Sequence, residues 1–422
     1  AGSQTVTLVA TNNTNSANCS KTATFNVVVN PAPTAYNVTT STPSICVGGG
    51  PVTINLSGSQ TGASYQLRRN GTNIGAAVSG TGSPLQFTDN GPFSSAATYN
   101  YDVVATLGTC TGTMNGTATV VVNPLPTPSV SGPTSVCSGQ SYQYSTPNAS
   151  PRSWTWTVPT GWSITNGQGT PQITVIAGTS GGSVSVLETN TSTGCSATSS
   201  VSVSVTAPPT AYNVSPSTAS VCRPNTGTTT FNVQLSGSQG NVNYQVMLGS
   251  TPIGTAVAGT GSAIILPITI GTGGNITATG TYTLTVQATA QTGACSGVPT
   301  MMSGSVTLTV NPTPSPVVNG PTTVCSGQSY TYQTTNNSGS TYNWSVPTGW
   351  TITAGQGTAQ ITVTSGTAGG NITVTETVSS TGCSATSPAL AVTVTTTPSP
   401  TISGSTTPCA GSTQTYTTAA GF

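Results

Sequence analysis

Short stretches of alternating hydrophobic and polar residues dominate the chain. Val, Ile, Thr and Tyr recur at every second position and are bounded by Gly, Asn, Ser and Pro, which is the pattern of short antiparallel strands. Clear examples are Thr53–Leu56, Thr119–Asn123, Gln172–Ile176, Val201–Val205, Val306–Val310 and Ile372–Thr375. No stretch keeps a helical period, and the 50 Gly and 30 Pro residues would interrupt one. The pattern therefore predicts an all-β chain.

One long motif occurs twice. The first copy contains Gly132-Pro-Thr-Ser-Val-Cys-Ser-Gly-Gln-Ser-Tyr142, then Pro159-Thr-Gly-Trp-Ser-Ile164 and Gly167-Gln-Gly-Thr170. The second copy begins at Gly320, 188 residues after Gly132, and keeps the same spacing. A third start, Ser403–Cys409, follows near the end of the sequence. This recurrence indicates a tandem array of modules.

Proline clusters mark the predicted joints between modules. Each cluster follows a stretch that reads as the last strand of a module, where proline removes sheet hydrogen bonds and favours a short, stiff linker. The clusters are Asn30–Thr34, Asn123–Pro128, Ala207–Pro209, Asn311–Pro316 and Thr397–Pro400.

Between the joints, two module types alternate. Type A covers residues 31–124 and 207–312, and type B covers residues 125–206 and 313–396. We interpret residues 1–30 as the C-terminal part of a type B module and residues 397–422 as the N-terminal part of another. The complete modules have the size of β-sandwiches, and a Tyr opens a late strand of type A as in immunoglobulin-like domains. We expect the sequence to be an internal segment of a longer secreted protein.

Charge and composition exclude several classes of function. Charged residues are only 2% of the sequence, His is absent and the net charge is +1, so recognition of nucleic acid is not expected. No stretch of 18 apolar residues would insert into a membrane. Glu188 and Glu376 occupy equivalent positions in separate modules, where we predict solvent-facing strand residues and not a catalytic pair. The sequence thus predicts neither an enzyme nor a cofactor.

The cysteines occur in pairs, one early and one late in each complete module. We predict structural disulfides within modules: Cys46–Cys110, Cys137–Cys195, Cys222–Cys295 and Cys325–Cys383. Cys19 and Cys409 are predicted to pair outside the segment. A metal site is not expected, because His is absent and each complete module has only two cysteines. Disulfides imply an oxidising, extracytoplasmic location.

The tryptophans of type B allow two interpretations. Trp162 and its counterpart Trp350 are the natural core of modules with few other large apolar residues, and core packing is the favoured interpretation. The alternative is an exposed ligand platform that binds sugars. The Gly-Gln-Gly-Thr segments are predicted to be turns, since no Lys and no helix follow as a phosphate loop would require.

Type B resembles the PKD-like repeats of Bacteroidota surface proteins. The resemblance is carried by Val-Cys-Ser-Gly-Gln-Ser-Tyr, Val-Pro-Thr-Gly-Trp, Gly-Gln-Gly-Thr and Thr-Gly-Cys-Ser-Ala-Thr-Ser in both copies. Such repeats occur in giant cell-surface adhesins exported by the type IX secretion system, including SprB-like gliding adhesins. Type A resembles the companion Ig-like repeats of these proteins. The Trp-Asp-Phe-Gly-Asp-Gly motif of PKD domains proper is missing, so the resemblance implies the sandwich fold and no ligand site.

The expected function is that of a structural stalk. Disulfide-stabilised sandwiches, joined by proline linkers, would form an extended fibre at the cell surface that presents a distal adhesive tip. Expected partners are surface polysaccharide or another solid surface at distal regions, the outer-membrane anchoring or motility machinery, and other copies of the fibre. Two alternatives remain open: an array of polysaccharide-binding modules, and a laterally associating sheath or pilus-like filament.

Overall fold

The alternating stretches of the sequence form β-strands throughout. A computed structural model of the chain describes residues 2–12, 14 and 19–418. The regular secondary structure of these residues consists of β-strands, so the predicted all-β fold class is confirmed. The strands belong to two compact units, Ala1–Thr206 and Ala207–Phe422. In the described part of the chain, no helix has the length and apolar character needed to cross a membrane.

The first unit begins with an antiparallel hairpin and continues into the first type A module. The hairpin consists of β1 (Gly2–Asn12) and β2 (Cys19–Val29). The strands of the type A module are β3 (Val38–Thr40), β4 (Ser44–Cys46), β5 (Val52–Leu56), β6 (Ser64–Arg69), β7 (Thr72–Ser79), β8 (Leu85–Asp89), β9 (Ala97–Leu107), β10 (Cys110–Thr113) and β11 (Ala118–Asn123).

This type A module is a two-layer sandwich. One sheet has the order β3-β5-β8, and the other has the order β4-β11-β9-β6-β7 with β10 beside β9. This is the division of strands in an immunoglobulin-like sandwich, where A, B and E face C, F and G. Alternate residues point inward, as Val52, Ile54 and Leu56 do on β5, and they meet Tyr65 and Tyr101 of the opposite sheet.

The first type B module follows and is also a sandwich. Its strands are β12 (Ser135–Cys137), β13 (Ser141–Ser145), β14 (Arg152–Thr157), β15 (Ser163–Asn166), β16 (Gln172–Ile176), β17 (Gly182–Asn190) and β18 (Ser196–Thr206). The sheets have the orders β12-β18-β17-β14 and β13-β16-β15. Aromatic and branched aliphatic residues of both sheets fill the core, among them Tyr144, Trp156, Trp162, Ile173 and Val175.

The second unit repeats this plan. Its type A strands are β19 (Val214–Ser215), β20 (Thr218–Arg223), β21 (Thr228–Leu235), β22 (Val242–Leu248), β23 (Thr251–Ala258), β24 (Ile264–Gly271), β25 (Gly280–Ala290), β26 (Pro299–Met301) and β27 (Val306–Pro312). Its type B strands are β28 (Thr323–Cys325), β29 (Ser329–Gln333), β30 (Ser340–Ser345), β31 (Thr351–Ala354), β32 (Gln360–Thr364), β33 (Gly370–Val378), β34 (Ser384–Thr386) and β35 (Leu390–Thr395). A short pair, β36 (Ile402–Ser403) and β37 (Thr417–Thr418), lies near the C-terminus.

The sheets of the second unit have the same connectivity as those of the first. In type A the orders are β19-β21-β24 and β20-β27-β25-β22-β23, with β26 beside β25. In type B they are β28-β35-β33-β30, with β34 beside β33, and β29-β32-β31. The predicted tandem repetition of two sandwich types is therefore present in the fold.

The two end segments expose apolar residues that complete type B modules bury. Tyr416 donates to the carbonyl of Ser405 at 2.9 Å, as Tyr144 donates to that of Pro133 at 2.8 Å. Yet Tyr416 is 55% exposed and Tyr144 is 0% exposed. Their assignment to incomplete type B modules, like the predicted module boundaries, stays a prediction.

Each complete module places an early strand parallel to its last strand. β4 pairs with β11, β12 with β18, β20 with β27, and β28 with β35, all in parallel. The first cysteine of each module lies on this early strand, beside the end of the last strand: Cys46 is opposite Asn123 and Cys137 is opposite Thr206. The first cysteine is thus held at the end from which the chain leaves the module.

Candidate functional site

Two disulfides within the described units connect adjacent modules. In the first unit, Cys46 of the type A module is bonded to Cys195 of the following type B module, with a Cα–Cα distance of 5.6 Å across 149 residues of sequence. In the second unit, Cys222 is bonded to Cys383 in the same way, with a Cα–Cα distance of 5.5 Å across 161 residues. Both distances are ordinary for disulfides. Each bond joins the first cysteine of one module to the second cysteine of the next.

The four predicted disulfides within modules, Cys46–Cys110, Cys137–Cys195, Cys222–Cys295 and Cys325–Cys383, are therefore wrong. The physical reason lies in strand direction. Cys137 is opposite the last residue of β18, whereas Cys195 directly precedes its first residue. β18 has 11 residues and a strand rises about 3.3 Å per residue, so these cysteines lie about 35 Å apart at opposite ends of the sandwich.

Type A separates its own two cysteines in the same way. Cys46 is opposite Asn123, at the end of β11 where β9 begins near Ala97. Cys110 is opposite Leu107, at the other end of β9. A disulfide needs Cα atoms within about 7 Å, so neither module type can close a bond between its own pair.

The remaining cysteines divide into two groups. Cys137 and Cys295 are also disulfide-bonded. Among the described residues, the free thiols are Cys19, Cys110, Cys325 and Cys409. That Cys19 and Cys409 pair outside the segment stays a prediction.

A tight turn presents the first cysteine of type B. The backbone N–H of Cys137 donates to the Tyr142 hydroxyl at 2.7 Å, and the N–H of Gly139 donates to the carbonyl of Ala177 at 2.8 Å. Gly139 has φ of +78°, a conformation that glycine adopts without a side-chain clash. The repeated motif Val-Cys-Ser-Gly-Gln-Ser-Tyr is thus the device that holds this cysteine at the exit of the module.

The tryptophans that sequence analysis considered as a ligand platform lie in the cores. Trp162 is 8% exposed and Trp350 is 7% exposed. Their indole N–H groups donate to the carbonyls of Ser180 and Ala368, each at 2.9 Å. Neither indole face is presented at the module surface, so the platform alternative does not fit these positions.

The Gly-Gln-Gly-Thr segments are turns that clamp a core strand. In the first copy the Gln168 side chain accepts from the backbone N–H of Trp156 at 3.1 Å and donates to its carbonyl at 3.0 Å. The indole of Trp156 donates to the carbonyl of Thr170 at 2.9 Å. Gln356 makes equivalent contacts with Trp344 in the second copy.

The two glutamates are buried, which corrects the prediction that they face solvent. Glu188 is 4% exposed and forms an ion pair with Arg152 at 3.1 Å. Glu376 is 1% exposed and accepts from Asn337 and Ser340, each at 2.8 Å. Glu188 continues the inward row of Val184 and Val186 along β17, so period-two alternation already placed it on the core side.

The first type A module contains two further ion pairs. Arg68 forms a bidentate contact with Asp102, with distances of 2.7 and 2.8 Å. Asp89 is buried and accepts from Arg69 at 3.0 Å and from the Tyr101 hydroxyl at 2.8 Å. Burial and the hydrogen bond to Asp89 raise the pKa of Tyr101. Each of these arginines is therefore paired with an acidic side chain of the same module.

The described residues contain no group of three or more His, Cys, Asp and Glu side chains that could hold a metal ion. An open polar groove of about 560 Å³ lies on the second type B module, lined by amide and hydroxyl side chains such as those of Gln333, Asn336 and Ser340. The aromatic residue beside it, Tyr342, is 4% exposed and offers no stacking face. The intermodule cysteines are therefore the feature on which the functional interpretation rests.

Comparisons with known proteins agree with this fold. The sequence profile of the PKD-like domain matches residues 123–205 and 311–394, which are the two stretches interpreted as type B. Similar solved structures include the ICAM-5 D1–D4 ectodomain fragment, with 15% identity over 86% of this chain and 100% of that chain at a TM-score of 0.38. The I67–I69 fragment of titin has 14% identity over 65% of this chain and 100% of that chain at a TM-score of 0.30.

A third similar structure is that of the fibronectin(III)-like modules of Clostridium thermocellum CbhA, with 14% identity over 40% of this chain and 95% of that chain at a TM-score of 0.23. All three scores are below 0.5, so the assignment of type A as Ig-like rests on its strand order. The comparison with curated proteins finds no match. The chain is a tandem array of PKD-like and Ig-like sandwiches, a kind of array that is typically structural or adhesive and not catalytic. Its disulfides indicate an extracellular or secreted protein.

Proposed function

We propose that this chain is a stalk segment of a long bacterial cell-surface adhesin or filament, and that its modules carry tension between a distal adhesive tip and the cell. The observation that supports this most directly is the placement of the disulfides. They connect successive modules along the direction of the chain, where a stalk bears load, and they do not surround a cavity or a reactive group.

The disulfide of the first unit shortens the path that a pulling force takes through the modules. Force applied to the two ends of the unit reaches Cys46 soon after the linker at residue 31, crosses the bond to Cys195, and leaves at Thr206. Residues 47–194 lie in the closed loop and bear no end-to-end tension while the bond is intact. A domain that loses its hydrogen bonds under load then adds little length to the stalk.

The joint between modules of the second unit is held by hydrogen bonds as well as by proline. Thr313 of the linker donates to the carbonyl of Arg223 at 2.6 Å, and Asn225 donates to the carbonyl of Pro314 at 2.8 Å. Both contacts come from the residues that follow Cys222. The linker is therefore fixed beside the disulfide, which supports a stiff stalk and not modules joined by flexible linkers.

The low surface charge suits dense arrangement of stalks outside the cell. Six of the nine charged residues form three ion pairs within modules. Lateral contact between copies would therefore desolvate few charges. We include self-association into fibres in the proposal on this ground.

The finer parts of the proposal rest on the resemblance of type B to PKD-like repeats of Bacteroidota adhesins. We propose that the parent protein is exported by the type IX secretion system and serves gliding motility or attachment. Regions outside this segment would contact polysaccharide or another solid surface at one end and the outer-membrane anchoring or motility machinery at the other.

Deletion of one pair of modules tests the stalk against the polysaccharide-binding alternative. Removal of residues 31–206 from the parent protein should shorten the fibre by about 70 Å, because each sandwich is about 35 Å long, and should leave attachment of cells unchanged. Fibre length would be measured by electron microscopy of intact cells labelled with an antibody against this segment. Loss of attachment at normal surface display, or a label confined to the cell interior, would contradict the proposal.

A further inference from the structure

The free thiols Cys110 and Cys325 occupy positions equivalent to those of cysteines that form disulfides elsewhere in the chain. In both resolved bonds, the first cysteine of one module joins the second cysteine of the module that follows. Cys325 is the first cysteine of the second type B module, and Cys110 is the second cysteine of the first type A module. Among the described residues, neither is bonded to a cysteine of a neighbouring module.

Cys325 is presented in the same way as its bonded counterpart. Its backbone N–H donates to the Tyr330 hydroxyl at 2.8 Å, as that of Cys137 donates to Tyr142 at 2.7 Å. Gly327 repeats the positive φ of Gly139, at +71°. Cys137 is disulfide-bonded and 0% exposed, whereas Cys325 is an exposed free thiol. The turn therefore has the same geometry in both copies, and the copies differ in the exposure and bonding of the cysteine sulfur.

Both thiols lie directly beside the linkers through which further modules would join. The Ser326 hydroxyl, next to Cys325, is 3.2 Å from the hydroxyl of Thr397 in the outgoing linker. The Cys110 thiol donates to the carbonyl of Asn30, in the incoming linker, at 3.5 Å. Cys295, the counterpart of Cys110 in the second type A module, is disulfide-bonded and 1% exposed. A module joined at either linker therefore begins within reach of a free thiol.

We propose that Cys325 and Cys110 are complementary ends of a continuous disulfide ladder, and that a second copy of the A–B repeat joined head to tail becomes bonded through them. The partner surface of Cys325 is the entry end of a following module, where the second cysteine of that module lies. The ladder has one direction, because the first cysteine of every complete module lies at its exit. This inference goes beyond the stalk function, since it concerns how successive modules are linked and not what the fibre binds.

Bond formation requires an oxidant, for which a small disulfide such as oxidised glutathione is sufficient. The Cys325 thiolate attacks one sulfur of that disulfide, forms a mixed disulfide and releases one glutathione thiolate. The Cys110 thiolate of the next copy then attacks the Cys325 sulfur and displaces the second glutathione. Two protein thiols lose two protons and two electrons in total, and one small disulfide is reduced to two thiols.

The test uses a chain in which residues 1–395 are followed directly by residues 31–422. This junction places Pro31 after Thr395, as Ala207 follows Thr206 in the native chain. The chain is oxidised with a glutathione redox buffer, treated with iodoacetamide and digested with pepsin without reduction. Mass spectrometry should identify a peptide that links Cys325 of the first copy to Cys110 of the second, while the outer Cys110 and Cys325 are alkylated.

Matched serine variants make the result decisive. Cys325→Ser in the first copy should leave the inner Cys110 fully alkylated, and Cys325→Ser in the second copy should leave the new bond intact. Circular dichroism and the retained Cys46–Cys195 and Cys222–Cys383 peptides report folding. The proposal is overturned if the inner Cys325 and Cys110 are both alkylated in folded protein, or if either is bonded to Cys19 or Cys409. Neither result would bear on attachment of cells, so this test and that of the stalk fail separately.

Discussion

The intermodule disulfide should decide how far the first unit lengthens under force. With the Cys46–Cys195 bond intact, 149 residues of sequence separation are closed into a loop that end-to-end tension does not reach. A fully extended chain spans about 3.4 Å per residue, so opening this bond adds about 500 Å of contour length. The oxidised unit should release only the residues outside the loop, which correspond to at most about 190 Å.

Single-molecule force spectroscopy on residues 1–206, placed between reference domains of known length, measures these values directly. The Cys195→Ser variant should release the full contour length of both modules, without any reducing agent, where the oxidised wild-type unit releases only the short length. Cys110→Ser is the matched control, because Cys110 is a free thiol and its removal should leave the unit locked. Dithiothreitol should give the wild-type unit the behaviour of the Cys195→Ser variant.

The control also separates the observed pairing from the alternative in which each module closes its own disulfide. Bonds within modules would let the oxidised unit unfold in two independent steps, and Cys110→Ser would lengthen one of them. Two module-sized steps in the oxidised wild-type unit would refute the force path proposed here. The force path would also be refuted if the oxidised wild-type unit and the Cys195→Ser variant both gave only the short extension. Some contact other than the Cys46–Cys195 bond would then carry the load.

Four further predictions concern the packing of the modules. Gly237→Ala should lower the free energy of unfolding of its module by about 1–3 kcal/mol, because the added Cβ overlaps a tyrosine ring, while Gly240→Ala meets open space and should be neutral in the same urea titration. Burial raises the pKa of Tyr144 to about 12 from 10.0, so stability of its module that is complete below pH 10 should fall by about 1.4 kcal/mol per pH unit up to pH 12, and Tyr144→Phe should remove this contribution to the slope in urea titrations at each pH. Trp162→Ala should cost about 3–5 kcal/mol in thermal unfolding of its module, whereas an exposed binding residue would leave the transition unchanged. Asp89→Ala should cost about 3–5 kcal/mol in urea because it leaves the neighbouring arginine partly buried without its partner, and a loss below about 1 kcal/mol would show that solvent screens the pair.

The sandwich fold could be predicted because its signal is local. Stretches such as Thr53–Leu56 and Gln172–Ile176 alternate apolar and polar residues, and the structure buries the apolar set of each as one face of a strand. The 188-residue recurrence could be read from the sequence for the same reason, since equivalent modules must repeat the same turns and core residues.

The disulfide pairing could not be predicted in this way, because it depends on strand direction between distant segments. The strands that carry Cys46 and Cys137 have only three residues each and show no alternation of their own. Nothing in such a segment indicates that it pairs in parallel with the last strand of its module. An antiparallel partner would have placed both cysteines of a module at one end; the parallel partner places them at opposite ends.

The burial of Glu188 could be predicted from the alternation along its strand only if its charge partner were also known. Its position continues an apolar row by period two, yet a lone carboxylate in a core is costly, so the alternation alone does not establish burial. The structure resolves the conflict with Arg152, which lies on the neighbouring strand β14. In the second copy Arg152 has no charged counterpart, and Asn337 and Ser340 satisfy Glu376 instead.

Strand direction has a consequence for how such an array can change length. The first cysteine of every complete module lies at its exit, and the bonds of both units follow chain order and join the first cysteine of one module to the second cysteine of the next. Both described bonds join a type A module to the type B module that follows it, and the ladder proposed above extends the same order to the links from type B to the next module. If the proposed ladder forms, insertion or loss of a whole A–B pair would leave each exit cysteine facing an entry cysteine, so the ladder would tolerate changes in repeat number. In such a ladder, loss of a single cysteine would open one link and leave those on either side intact.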